Sequence, residues 1–81
     1  EIYPGRFIVL GDRGDSVLLL QQQLNRIAAR DPDIPTVAED GIFGRGTQAA
    51  VLALQRKLGF DPTGAVGPVL WAQIITQGEE Y

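Results

Sequence analysis

The chain has no cysteine, no histidine and no methionine among its 81 residues. Without cysteine no disulfide can staple the fold, and without cysteine or histidine the usual zinc and haem ligand sets cannot be assembled. The same absences remove the thiol nucleophile and the imidazole base on which much covalent catalysis depends. Basic residues are also scarce: seven Lys and Arg against ten Asp and Glu leave a net charge of −3. A nucleic-acid reader relies on a basic stripe, so this balance argues against one. No apolar run approaches the ~18 residues of a membrane span. The first residue is Glu1, with no leader pattern, so the chain reads as a piece of something longer. Carboxylates remain available for acid–base work, but so short a chain leaves little interior for a dry cleft around them. No cofactor, no metal site and no catalytic residue are expected.

What is present is 44% hydrophobic residues and ten glycines. The length fits one domain with a small core, since a chain of this size buries only about 60% of its unfolded surface. Val17, Leu20, Leu24, Ile27 and Ala28 recur at helical spacing, which predicts a helix ending near Arg30, before Pro32 and Pro35. Asp15 or Ser16 is placed to cap it. A second helix is predicted over Arg45–Leu58, with Thr47, Ala50, Val51, Leu54 and Leu58 on one face and Gly59 as its stop. Pro68 opens a third, short helix through about Thr76, displaying Val69, Leu70, Trp71 and Ile74. Residues 1–8 read as a linker or docking segment, 9–76 as the domain and 77–81 as a polar tail. The long connection 31–46 would be held down by Ile34, Val37, Ile42 and Phe43.

Two internal repeats carry more information than these boundaries. Val17-x-x-Leu20-Gln21-x-x-Leu24 recurs as Val51-x-x-Leu54-Gln55-x-x-Leu58. Asp40-Gly41-Ile42-Phe43-Gly44-Arg45-Gly46-Thr47 recurs as Thr63-Gly64-Ala65-Val66-Gly67-Pro68-Val69-Leu70. In each turn the first glycine permits a positive φ, the apolar residue plugs the core, and the second glycine lets the chain enter a helix closely. One turn thus starts two helices.

Together these blocks resemble the peptidoglycan-binding-domain-like family of small three-helix modules attached to cell-wall hydrolases. The similarity runs from Leu10-Gly-Asp-Arg-Gly-Asp through Asp40-Gly41-x-Phe43-Gly44 to Gly64-x-Val66-Gly67-Pro68-x-x-Trp71, roughly residues 9–75. It implies an all-α, compact three-helix bundle with long loops and a non-catalytic module that tethers a partner to the bacterial wall. The implied partners are the peptidoglycan stem peptide and glycan and a covalently linked catalytic or envelope domain. The domain itself would be a monomer located outside the cell or in the wall. Two departures stand out: Thr63 and Leu70 occupy positions where the family usually carries Asp and Thr, so two polar groups are missing from the second turn. The Asp31–Glu39 stretch is also longer than usual. Both features leave open a structural or protein-interaction role for the same fold.

The candidate ligand-binding residues are Asp40, Gly41, Phe43, Gly44, Arg45, Thr47, Gln55 and Trp71. They would line a shallow groove between the second and third helices and the Asp40–Thr47 turn. Each has a plainer reading beside the functional one. Asp40 can bond amides of its own turn, Thr47 can cap the second helix, and Phe43 and Trp71 can be core. Gln21 and Gln55 repeat beside core leucines, either bracing backbone groups of the two turns or lining a groove. The rest of the Gln21–Gln23 run reads as a solvated face. Arg13, Arg45 and Arg56 are the cations best suited to a stem-peptide carboxylate, because a forked guanidinium matches it.

Overall fold

A computed structural model describes residues 3–79. Three helices follow in order: α1 over Asp15–Arg30, α2 over Arg45–Leu58 and α3 over Pro68–Glu79. Among the described residues no strand forms, only two isolated antiparallel bridges, Ile8 with Val66 and Arg13 with Ile42. No helix among the described residues is long and apolar enough to cross a membrane. The architecture is the all-α three-helix bundle the sequence predicts.

The apolar faces meet as the spacing requires. Val17, Leu20, Leu24 and Ile27 of α1, Ala50, Val51 and Leu54 of α2, and Leu70, Trp71 and Ile74 of α3 are all buried. Phe43 and Val66, the plugs of the two turns, are fully enclosed between them. Burying side chains of this size contributes about 1.5–3 kcal/mol each, which is what an unstapled domain depends on. Ile34 pins the long connection from within the core, whereas Ile42, expected beside it as an anchor, stays 42% exposed because the turn aims it outward. Val69, on the first turn of α3, is likewise exposed.

Four further local expectations give way. Neither Asp15 nor Ser16 caps α1 and Thr47 does not cap α2: the N-cap positions are Gly14 and Gly44, without side-chain capping bonds. Helix α3 runs on to Glu79 instead of stopping near Thr76, so Gln77–Glu79 are its last turn and not a tail. The reason is Gly78, which is buried against the side chain of Gln23 where any Cβ would collide. That contact in turn buries Gln23, which the sequence read as solvated.

The long connection is fastened at three points. Ile34 enters the core, Asn25 of α1 pairs with the Val37 backbone in both directions at 2.8 Å, and Lys57 of α2 bridges Asp31 and Asp33 at 2.7 and 3.2 Å. Ahead of α1, Tyr3 meets Trp71 edge-on with ring centroids 5.9 Å apart. Ile8 is buried and exchanges both backbone hydrogen bonds with Val66, so this part of the 1–8 segment docks on the bundle. Glu1, Ile2 and the tail residues Glu80 and Tyr81 lie outside the described residues.

Candidate functional site

The two repeated turns are built alike, each around one buried glutamine. Gln21 accepts the Gly41 N–H on Oε1 at 2.8 Å, while its Nε2 donates to the Ile42 carbonyl, Asp40 Oδ1 and Thr47 Oγ1 at 2.9–3.1 Å. Gln55 accepts the Gly64 N–H at 2.9 Å and donates to the Ala65 carbonyl and Thr63 Oγ1, both at 3.1 Å. A backbone donor and a backbone acceptor thereby fix the orientation of each amide. The bracing account of the two glutamines holds, and it explains their repetition.

Asp40 and Thr63 do the same job by different chemistry. Asp40 Oδ1 also accepts the Ile42 N–H at 3.0 Å, and Thr63 Oγ1 accepts the Ala65 N–H at 3.2 Å. The polar group expected to be missing at position 63 is therefore supplied by the hydroxyl. At position 70 the loss is real: Leu70 is buried where Thr47 gives its glutamine a further acceptor. Gly41 and Gly64 sit at φ of 74° and 77°, the left-handed region that glycine enters without strain. The second glycines differ. A Cβ on Gly67 would lie 2.7 Å from the ring of Phe7, whereas one on Gly44 would meet nothing, so close approach accounts only for Gly67.

Residues ahead of α1 stitch both turns to the bundle. Gly11 donates to the Phe43 carbonyl, Phe43 to Asp12 and Gly14 to Gly41, all at 2.8–2.9 Å. Arg13 is carried by this seam, and its side chain is exposed beside the first turn.

Two surface grooves follow, one at each turn. The first, about 410 Å³, is lined by Arg13, Asp15, Leu18, Asp40 and Ile42 with the backbone of Gly14 and Gly41. It is zwitterionic in character, one guanidinium against two carboxylates. The Ile42 amide, with the Gln21 amide behind it, holds the Asp40 carboxyl below the usual carboxylate range. The second groove, about 440 Å³, runs between the end of α2 and the start of α3 and is largely apolar, with Phe7, Phe60, Pro68 and Val69 on its walls. A third cleft of about 550 Å³ surrounds the Lys57 clasp, whose charges already satisfy one another.

The predicted site residues divide sharply. Phe43, Thr47, Gln55 and Trp71 are 0–4% exposed and build the scaffold, with Gln55 alone of the four reaching the edge of the second groove. Asp40 and Arg45 are exposed, and Gly41 and Gly44 are half-buried. None of these three clefts spans α2, α3 and the Asp40–Thr47 turn together, as the predicted groove would. The first turn opens toward α1, and the space between α2 and α3 belongs to the second turn. Among the described residues Arg13, Arg45 and Arg56 are exposed and enter no ion pair. Sequence reading missed Phe7, Phe60 and Asn25. A signal existed for Phe7, an aromatic in a segment already noted as capable of docking. No cluster of three or more Asp or Glu able to hold a metal occurs among the described residues.

The helical frame thus presents an open groove at each of its two repeated turns. The comparisons with known proteins place it further. Residues 13–74 match the family described as "Putative peptidoglycan binding domain", and the chain belongs to that family. An uncharacterized protein encoded in the bpoA1 3′ region of Kitasatospora aureofaciens is 41% identical over 70 residues, which is 85% of this chain and 55% of that protein. The chain thus spans about half the length of this curated relative. Among solved structures, the SleB N-terminal domain superposes with a TM-score of 0.79 at 26% identity, covering 96% of this chain and all of that one.

Proposed function

We propose that the domain binds peptidoglycan and holds the protein that carries it against the bacterial cell wall. The observation that carries this reading is the family match over residues 13–74, which spans both glutamine-braced turns and nearly all three helices. The domain acts as a monomer, without catalysis of its own, and its linked catalytic or envelope domain works outside the cell on the polymer it is tethered to. Modest affinity suffices for such a role, because tethering replaces tightness with effective concentration.

The first groove receives the stem peptide. Arg13 offers an exposed guanidinium to a carboxylate and Asp15 and Asp40 offer carboxylates to an ammonium, while Arg45, exposed at the start of α2 and outside the groove lining, is a second cation for the same ligand. Two of the features that pointed to a purely structural role lose their force, since Thr63 replaces the expected carboxylate and the long connection is firmly fastened; the polar group lost at Leu70 stands as a difference.

Sedimentation with purified, protein-free sacculi tests the reading. At tens of micromolar the domain pellets with the wall, and Arg13→Ala or Arg45→Ala weakens pelleting several-fold with an unchanged thermal transition. A domain that stays wholly in the supernatant at low and moderate salt is not a wall binder.

A further inference from the structure

The second groove is a separate opening from the first. It lies at the Thr63–Gly67 turn, and its walls are apolar where the first groove is charged. Phe7 is 60% exposed and Val69 64% exposed, and both line it together with the half-buried Phe60. Contiguous exposed apolar surface of this kind on a small domain marks a place of contact. The surface is also fixed in place. The Phe7 ring rests against Gly67, Phe60 donates its N–H to the Gln55 carbonyl at 2.8 Å, and Val69 stands on the first turn of α3. The volume of about 440 Å³ is in the range of roughly 300–1,000 Å³ typical of small-ligand sites.

Its charge selects the occupant. Asp61 is the one ionisable group in the lining, and no cation stands there. An anionic stem-peptide carboxylate is repelled by such a lining. A neutral ring with an apolar face and hydroxyl groups is not: it can lie on an aromatic wall and donate a hydroxyl hydrogen to Asp61. The Gln55 amide and Thr63 hydroxyl are committed to the turn, so Asp61 is left to make the polar contact.

We propose that this groove is a glycan subsite that takes a neutral N-acetylated hexosamine, with Phe7, Phe60 and Val69 against the sugar and Asp61 on a hydroxyl. The assignment rests on the reading of the domain as a peptidoglycan binder. It divides that ligand between two faces, peptide at the first turn and sugar at the second.

The test uses two forms of the wall: intact sacculi, and glycan strands whose stem peptides have been removed by an amidase. A soluble, peptide-free N-acetylglucosamine tetramer is the small probe. The native domain binds the stripped strands, and the tetramer shifts the NMR signals of Phe7, Phe60 and Val69. Val69→Asp and Phe7→Ser, both at exposed positions, weaken binding to stripped strands at least tenfold without moving the thermal transition. Binding to intact sacculi but not to stripped strands overturns the subsite and leaves the wall-binding function standing. Binding to stripped strands that both variants retain overturns the groove assignment. Binding to neither form removes both readings. A native dimer in sedimentation velocity that Val69→Asp dissociates assigns the groove to a second copy of the chain instead.

Discussion

At the scale of single residues, the fold turns on two glutamines that a hydropathy reading passes over. Gln21 and Gln55 each satisfy an N–H and a C=O of a turn that packs against the core. Removing such a partner leaves buried polar groups unmet at about 1–3 kcal/mol each. Gln21→Ala is expected to cost about 2–4 kcal/mol in urea unfolding, and Gln55→Ala less, because Leu70 gives Gln55 one partner fewer. The repeated sequence made these two residues conspicuous. What it could not convey was that Thr63 replaces a carboxylate with a hydroxyl, since that depends on where the oxygen points. The glycines separate in the same way. Gly41→Ala forces a Cβ into a positive-φ turn and toward the Gly14 carbonyl at 3.4 Å, and should cost about 1–2 kcal/mol. Gly44→Ala, with an extended φ and open space, should stay within about 0.5 kcal/mol. Equal effects at the two positions would contradict the assignment of their roles.

At the scale of elements, periodicity located α1 and α2 because each buries one continuous apolar stripe. It failed at the end of α3, where the determinant is a contact between elements that lie far apart in the chain. Gly78 looks like a helix breaker in the sequence and is instead the flat spot where α3 meets Gln23 of α1. Gly78→Ala overpacks that contact and is expected to lower stability by about 1–3 kcal/mol in thermal unfolding, although alanine is the better helix former. Asn25 was invisible for a similar reason, because its partner is the backbone of Val37 in an irregular segment. The candidate site suffered most. Motif residues were read as ligand contacts, yet Phe43, Thr47, Gln55 and Trp71 are what hold the turns in place. A motif marks what the fold requires as readily as what the ligand touches, and only exposure separates the two.

At the scale of the whole molecule, charge sets the response to pH. The Val9 amide and then Arg6 hold Asp12 below the usual carboxylate range, Lys57 and the Asp33 amide do so for Asp31, and the Ile42 amide and Gln21 for Asp40. A carboxyl with a lowered folded pKa stabilises the native state above its unfolded value and loses that contribution as pH falls through the folded one. Lys57, raised by Asp31 and Asp33, works in the opposite sense and is lost only above the ordinary lysine range. With no histidine or cysteine side chain to titrate between, the melting temperature should be flat from about pH 5 to 9 and fall below about pH 4. A step in melting temperature near neutrality would contradict this. With a net charge of −3 the domain carries no general positive field, so the proposed binding rests on the two grooves and not on net charge.

The claim that joins these scales is that a frame built from two braced turns presents two faces to one polymer, the peptidoglycan of the wall. Co-sedimentation of the domain with protein-free sacculi, repeated after complete muramidase digestion, tests it most directly. Saturable pelleting with intact sacculi that disappears on digestion is the expected result. Full recovery of the domain from the supernatant over intact sacculi, with its thermal transition preserved, would contradict it.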